Sequence, residues 1–174
     1  MKKVLFTICI TLLCSSLFAQ EKFDTEFKKG YIGLLKINNG LITNFHTSPE
    51  LYVGGITLNP QFTVIEHKLR LGANAGFVYS GNKISGIFGP MLAYKIKSIN
   101  LKTLAGLANI HVLLEANWGT NKQQLFGGGI AIEALQKLHI AFTAQRDYKL
   151  NSWWFQTHIG IPIFKTKEKG DDFR

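Results

Sequence analysis

The sequence predicts an all-β fold: a closed, antiparallel, up-and-down transmembrane barrel, most naturally of eight strands. Three observations carry that expectation. The chain opens on an export signal. The remainder alternates with period two in segments of roughly 10 to 13 residues. The two faces of that alternation differ, one being apolar throughout and the other built of small, amide and charged side chains.

The 174 residues suffice for one domain. In "MKKVLFTICITLLCSSLFAQ", Lys2 and Lys3 form a basic start and Val4 to Leu13 an apolar run too short to span a bilayer as a helix. We therefore expect a signal peptide over residues 1–19, a barrel over 20–165 and a charged tail over 166–174. Leu13, where a lipid-attachment site wants a small residue, argues against a lipid anchor on Cys14. Both cysteines, Cys9 and Cys14, fall in the signal, so the exported chain must be held by burial and backbone hydrogen bonds without disulfides. Without Lys2 and Lys3 the 20 basic side chains become 18 against 11 acidic ones, a net +7 that favours anionic surfaces. Basic residues are not interleaved with stacking aromatics, and export itself argues against a nucleic-acid partner.

The strands follow in order. Two weaker ones are expected at about 28–38 around "GYIGLLKI" and about 49–58 around "LYVGGITL". Six clearer ones are "HKLRLGANAGFVY" (67–79), "ISGIFGPMLAYKI" (84–96), "GLANIHVLLEANWG" (106–119), "QLFGGGIAIEA" (124–134), "KLHIAFTAQRDY" (137–148) and "SWWFQTHIGIPIF" (152–164). The links read as "NNG", "LNP", "SGNK", "KSIN", "GTNK", "LQK" and "LNS". Pro90 and Pro162 sit inside predicted strands, where each removes a ladder donor, so bulges or strand ends are expected there. A register slip is expected near Leu104–Gly106.

Alternation alone does not say which face is inside. The polar set is rich in Gly72, Asn74, Gly76, Asn109, Gly127, Gly129, Thr143 and Gln145, which suits a narrow interior better than a solvated surface. Tyr52, Phe77, Tyr79, Trp118, Phe126, Tyr148, Trp153 and Phe155 fall near one set of strand ends, and Phe27, Tyr31, Tyr94 and Phe164 near the other. Two aromatic levels flanking an apolar band mark a barrel that faces lipid. Arg146 falls on the outer face, where it is tolerable only near an interface. Closure is required because an open sheet edge in lipid would leave backbone groups without partners.

On these residues the chain, from about 27 to 165, resembles the small eight-stranded outer-membrane barrels of Gram-negative bacteria, such as the OmpA transmembrane domain and OmpX. The resemblance is architectural and has departures: Pro90 and Pro162 inside strands, the slip near Leu104–Gly106, Arg146 on the outer face, and "KTKEKGDDFR" after Phe164, which displaces the terminal aromatic of those barrels. It implies an outer-membrane location with both chain ends in the periplasm.

The inward polar set, Lys68, Arg70, Asn109, His111, Glu115, Glu133, His139, Asp147, Gln156 and His158, with Asn117 and Lys95, is expected to form a buried network of paired charges and hydrogen bonds. His111 and Glu115 lie about 13 Å apart along one strand, too far to act as an acid–base pair. Their partners are expected from a neighbouring strand, His139 or Lys68 being the candidates. Zinc held by His111, His139 and His158 lacks ligand spacing. "HTS" (46–48) with Glu50 has the His-x-Ser spacing of barrel lipid A deacylases, but lies in a loop followed by Pro49. "GGG" (127–129) precedes neither a helix nor a Lys-Ser/Thr pair and is no phosphate loop. The expected function is a non-enzymatic, monomeric envelope protein without cofactor. Its expected partners are outer-membrane lipid and lipopolysaccharide or another anionic envelope polymer, met by Lys28, Lys29, Lys97, Lys102, Lys137, Lys165, Lys167 and Lys169. The alternatives are a soluble lipocalin-like barrel with an apolar ligand, and a lipid A-modifying enzyme.

Overall fold

The computed structural model describes residues 29–46, 51–101, 106–134 and 138–165. Eight strands occupy them: β1 (Tyr31–Thr43), β2 (Leu51–Ile65), β3 (Leu69–Ser80), β4 (Lys83–Leu101), β5 (Gly106–Gly119), β6 (Gln124–Ala134), β7 (Leu138–Asp147) and β8 (Ser152–Lys165). Each pairs antiparallel with its neighbour in sequence, and β8 returns to β1, so the barrel is closed and all-β among the described residues. The expected signal (1–19) and tail (166–174), together with Phe27 and Lys28, lie outside the described residues, as do 47–50, 102–105 and 135–137.

The register fixes the shape. Following paired residues from Ile32 through Gln61, Gly72, Met91, Glu115, Gly127, Gln145 and Trp154 leads back to the first strand at Ile42, ten residues further on. Side chains alternate faces with period two, so only an even offset joins inner face to inner face. With the usual strand spacing and rise, that offset over eight strands tilts them by about 40°, and ten residues then climb about 25 Å along the axis.

The first two strands run further than their sequence signals. "NNG" lies within β1, because Asn38 points inward, where its amide donates to Thr57 Oγ1 at 2.6 Å. Gly40 sits where a Cβ would collide with the Phe155 carbonyl oxygen, so the glycine serves close strand approach here. "LNP" lies within β2, where Asn59 Nδ2 donates to the Ala73 carbonyl at 2.9 Å across the ladder. "KSIN" extends β4. "SGNK" is a two-residue hairpin: Ser80 pairs with Lys83, and Gly81 and Asn82 both take positive φ (54° and 62°).

The prolines behave differently from each other. Pro162 adjoins a register shift of the β1–β8 ladder between Gly33 and Leu34. Pro90 makes neither a bulge nor a strand end: β4 runs through it, pairing it with Ala73, and it faces outward. The irregularity on the β4–β5 side falls between Lys95 and Lys97, away from the slip expected near Leu104–Gly106. Residues 102–105 of that stretch lie outside the described part, and Gly106 pairs in register with Leu101.

Two ends can be distinguished. The upper end carries the links after β1, β3, β5 and β7; the lower end carries the two termini and the links after β2, β4 and β6. Outward side chains between them are mainly Ile, Leu, Val, Ala and Gly, and many are exposed, Ile37 at 60% and Ile130 at 58%. Aromatics fringe this belt. Near the lower end Tyr31 stacks on Phe164 (5.3 Å between centroids), with Phe62 and Tyr94 close to the same level. Near the upper end stand Tyr52, Phe77, Tyr79, Phe88, Trp118, Phe126, Tyr148, Trp153 and Phe155. Arg146 lies in this upper fringe, its guanidinium 5.4 Å from the Trp153 ring centroid and hydrogen-bonded to Asn151. Asn39 also faces outward, its carbonyl accepting from Thr157 Oγ1 at 3.0 Å.

Candidate functional site

The interior is a stack of layers. Uppermost is an apolar seal of Val53, Val78, Ile87, Leu125 and Trp154, with Ile42 packed against it. These residues come from β2, β3, β4, β6 and β8, one strand position below the upper hairpins or a few further in.

Beneath the seal lies a polar layer centred on one ion pair. Lys36 Nζ from β1 stands 3.6 Å from Glu115 Oε1 on β5, both side chains almost wholly buried. Gln145 donates through Nε2 to Glu115 Oε2 at 2.6 Å, and Lys36 Nζ donates to Asn74 Oδ1 at 3.4 Å. Asn74 also accepts from Asn59 Nδ2 (2.9 Å) and donates to Asn117 Oδ1 (3.3 Å), and Gln61 donates to Asn59 Oδ1 (2.5 Å). His158 on β8 bridges to β1 and β7: Nδ1 lies 2.8 Å from Asn38 Oδ1 and Nε2 2.7 Å from Thr143 Oγ1. An amide oxygen can only accept, so Nδ1 carries a proton and donates to Asn38. A gap of about 10 Å³ among these groups is about the size of one water molecule.

Lower still, Met91, Ala93, Leu113, Ala131 and Ala141 form an apolar cluster. Near it are a second ion pair, Arg70 Nη1 to Glu133 Oε2 at 2.8 Å, and two imidazoles whose Nε2 atoms are 3.2 Å apart, His111 and His139. Asn109 accepts from Ser98 Oγ at 2.9 Å.

The structure places Arg70, Asn109, His111, Glu115, Glu133, His139, Asp147, Gln156 and His158 on the inner face, all buried. Lys68 is not among them. It lies exposed in the turn between β2 and β3, where the inward alternation of β3 has not begun. The cation facing Glu115 is Lys36, which period two groups with Ile32, Leu34 and Asn38. It falls within the weaker strand expected at about 28–38, where Ile32 and Leu34 on one face and Leu35 and Ile37 on the other leave no clear polar side. His111 meets His139, while Glu115 meets neither. Lys95 is half-buried at the β4 irregularity. Asp147 stands apart from the network: its Oδ1 accepts the backbone N–H groups of Gln124 (3.2 Å), Lys149 (3.0 Å) and Leu150 (3.0 Å), tying the β7–β8 turn to β6.

This arrangement pairs charges and fills space. His158 belongs to the Asn38–Thr143 set, away from the His111–His139 pair, and no group of three or more potential metal ligands occurs among the described residues. His46 is exposed, its backbone N–H donating to Asn44 Oδ1 at 3.1 Å, whereas Ser48 and Glu50 lie outside the described residues. The "GGG" run lies within β6, where Cβ atoms at 127, 128 and 129 would strike the carbonyl oxygens of Ala144, Leu113 and Phe142. These glycines let β5, β6 and β7 pack closely, without a phosphate role. No protein-family model matches the chain, and no curated protein matches it either.

Proposed function

We propose that the protein is a small outer-membrane barrel of Gram-negative type, akin in architecture to the OmpA transmembrane domain and OmpX. In this reading it is a monomer with its lower end and both termini in the periplasm, and it serves the envelope as a non-enzymatic structural or accessory element. The observation that carries the reading is the inverted distribution of polarity. Lys36, Glu115, Arg70 and Glu133 are buried within, while Ile37, Ile56, Ile130 and Phe142 stand exposed on the outside. In water, such a continuous apolar belt would be an aggregation surface; against lipid it is the required one. A lipocalin-like soluble barrel needs the opposite arrangement, with an apolar interior open to its ligand.

The aromatic fringes support the same reading, since amphipathic rings favour the two interfaces of a bilayer. Arg146 fits it as well: near the upper fringe its stem can lie against Trp153 while its charge reaches the headgroups. The exposed Lys29 and Lys97 at the lower end suit contact with anionic lipid. A filled interior favours an anchoring or scaffolding role over solute passage.

The test is fractionation followed by gel electrophoresis with and without boiling. We expect the protein in the outer-membrane fraction, extracted only by detergent and migrating differently after heating. Recovery as a soluble periplasmic monomer would overturn the proposal and put the ligand-binding alternative first.

A further inference from the structure

Below Tyr94 the wall of the barrel has a bare edge. The last pair between β3 and β4 is Leu69 with Tyr94, and the Lys95 N–H then donates to the Lys68 carbonyl at 2.8 Å in the turn between β2 and β3. β4 nevertheless continues to Leu101, held by β5 through pairs from Lys97 with Ile110 to Leu101 with Gly106. Among the described residues no strand lies along the opposite edge of residues 96–101, about 20 Å of extended chain. Such an edge presents unpaired N–H and C=O groups and recruits an extended chain that lies near it. Its side chains invite cover as well: Ile96 is 59% exposed and Ile99 40%.

The start of the chain enters beside this edge. The Gly30 carbonyl accepts the Thr63 N–H at 3.0 Å, and the Lys29 N–H donates to Glu66 Oε1 at 3.2 Å. Lys29 therefore stands against the turn Glu66–Lys68, and the far side of that turn is the one bonded to Lys95. The sequence just before Lys29 has the pattern of a strand. In "FDTEF" Phe23, Thr25 and Phe27 fall on one side, Asp24 and Glu26 on the other. The two sides of the bare edge differ in the same sense. Ile99, paired with Ala108, faces outward with Ile96, whereas Lys95, paired with His111, faces inward and has Lys68 beside it. Apolar side chains thus meet apolar ones outside, and carboxylates meet ammonium groups at the lower mouth. The direction agrees too: β4 descends, and the chain must rise to enter β1, so the two run antiparallel.

We propose that residues 23–27 cover the edge of β4 as an added antiparallel strand, Thr25 lying beside Ile99, with Phe23 and Phe27 outward and Asp24 and Glu26 towards Lys95 and Lys68. The segment occupies the place that a second copy of the chain would otherwise take. The proposal does not rest on lipid around the belt, because the edge lies below it.

The test is amide hydrogen exchange on the full-length protein in detergent micelles. The amides of residues 96–101 that point away from β5 are expected to be protected. Thr25→Pro, which removes a donor from the middle of the covering segment, should make them exchange about tenfold faster and leave β6 and β7 unchanged. A second measurement does not depend on that variant folding. Cys9 and Cys14 are the only cysteines in the sequence. With both changed to serine, Thr25→Cys and Ile99→Cys should be joined within one chain by a short bismaleimide, whereas Thr25→Cys and Lys149→Cys, at opposite ends of the barrel, should not. Fast exchange of residues 96–101 in the unaltered protein would overturn the proposal. So would protection that survives Thr25→Pro, or a link between Thr25→Cys and Ile99→Cys that forms only between two chains, the sign of a second copy on the edge.

Discussion

Separating Lys36 from Glu115 is the most direct way to ask what the interior network does. The two charges are 3.6 Å apart, with side chains 2% and 3% exposed. At an effective dielectric of about 20 their attraction is about 5 kcal/mol. Lys36→Met would leave a buried carboxylate with only neutral amides such as Gln145 beside it, costing about 3–5 kcal/mol. Glu115→Met would leave a buried ammonium at a similar cost, and would strip Gln145 of its acceptor for a further 1–3 kcal/mol, roughly. The double variant removes both charges together and fills the space with thioether side chains. Only the stranded amides remain, so the expected loss is about 2–3 kcal/mol, far below the sum of the singles. The singles sum to about 7–13 kcal/mol, so the coupling should be at least about 4 kcal/mol. The assay is urea unfolding in phospholipid vesicles, read by tryptophan fluorescence and by gel mobility without boiling. Additive single variants, or singles that each cost under about 1 kcal/mol, would refute the claim that this pair is desolvated and mutually dependent.

Other outcomes follow from the same geometry. Ile37→Lys, mid-belt, should cost about 2–4 kcal/mol in vesicles, and Tyr52→Lys, in the upper fringe, about 0–1 kcal/mol; equal costs would argue against lipid around the belt. Arg70→Met should destabilise by about 3–5 kcal/mol by stranding Glu133, while Lys68→Met, in the exposed turn, should stay within about 0.5 kcal/mol, both read by the same urea titrations. Gly129→Val would drive a Cβ against the Phe142 carbonyl and the Thr143 backbone, and should cost about 1–3 kcal/mol or block folding, seen as loss of the heat-modifiable form. In planar bilayers the protein should show no steps of pore size, because its interior is occupied by side chains.

The fold was legible because period two persists wherever one face meets apolar surroundings and the other a crowded interior. "GLANIHVLLEANWG" places Asn109, His111, Glu115 and Asn117 on one side, and the structure buries all four. The signal failed where turn-forming residues do interior work. Asn38 and Asn59 read as punctuation because their amides compete with the backbone in water. Inside a barrel the same amides bridge strands, and "NNG" and "LNP" therefore do not end a strand. Lys36, the counter-ion of Glu115, was hidden for another reason: in "GYIGLLKI" both faces carry apolar residues, so the inward side does not stand out. Partners across the barrel are beyond any local pattern: Lys36 and Glu115 come from strands four apart, and only the ten-residue offset brings them to one level. Pro90 was misread for the opposite reason. A proline costs a sheet one N–H, and β4 accommodates it on the outward face without changing register.

The seam between β1 and β8 closes over a long stretch of chain. His158 Nδ1 meets Asn38 Oδ1 across 120 residues of sequence, and Thr157 meets Asn39 across 118. Every other strand pair joins sequence neighbours and can form as soon as its hairpin exists. The last pairing must wait for all seven others, and until it forms the sheet has two bare edges and the polar core has one open side. Removing a terminal strand would thus not yield a smaller barrel. It would leave a sheet in which Asn38 and His158 no longer meet, ready to pair edge to edge with another copy, and closure is accordingly the step that assembly in a cell must shelter.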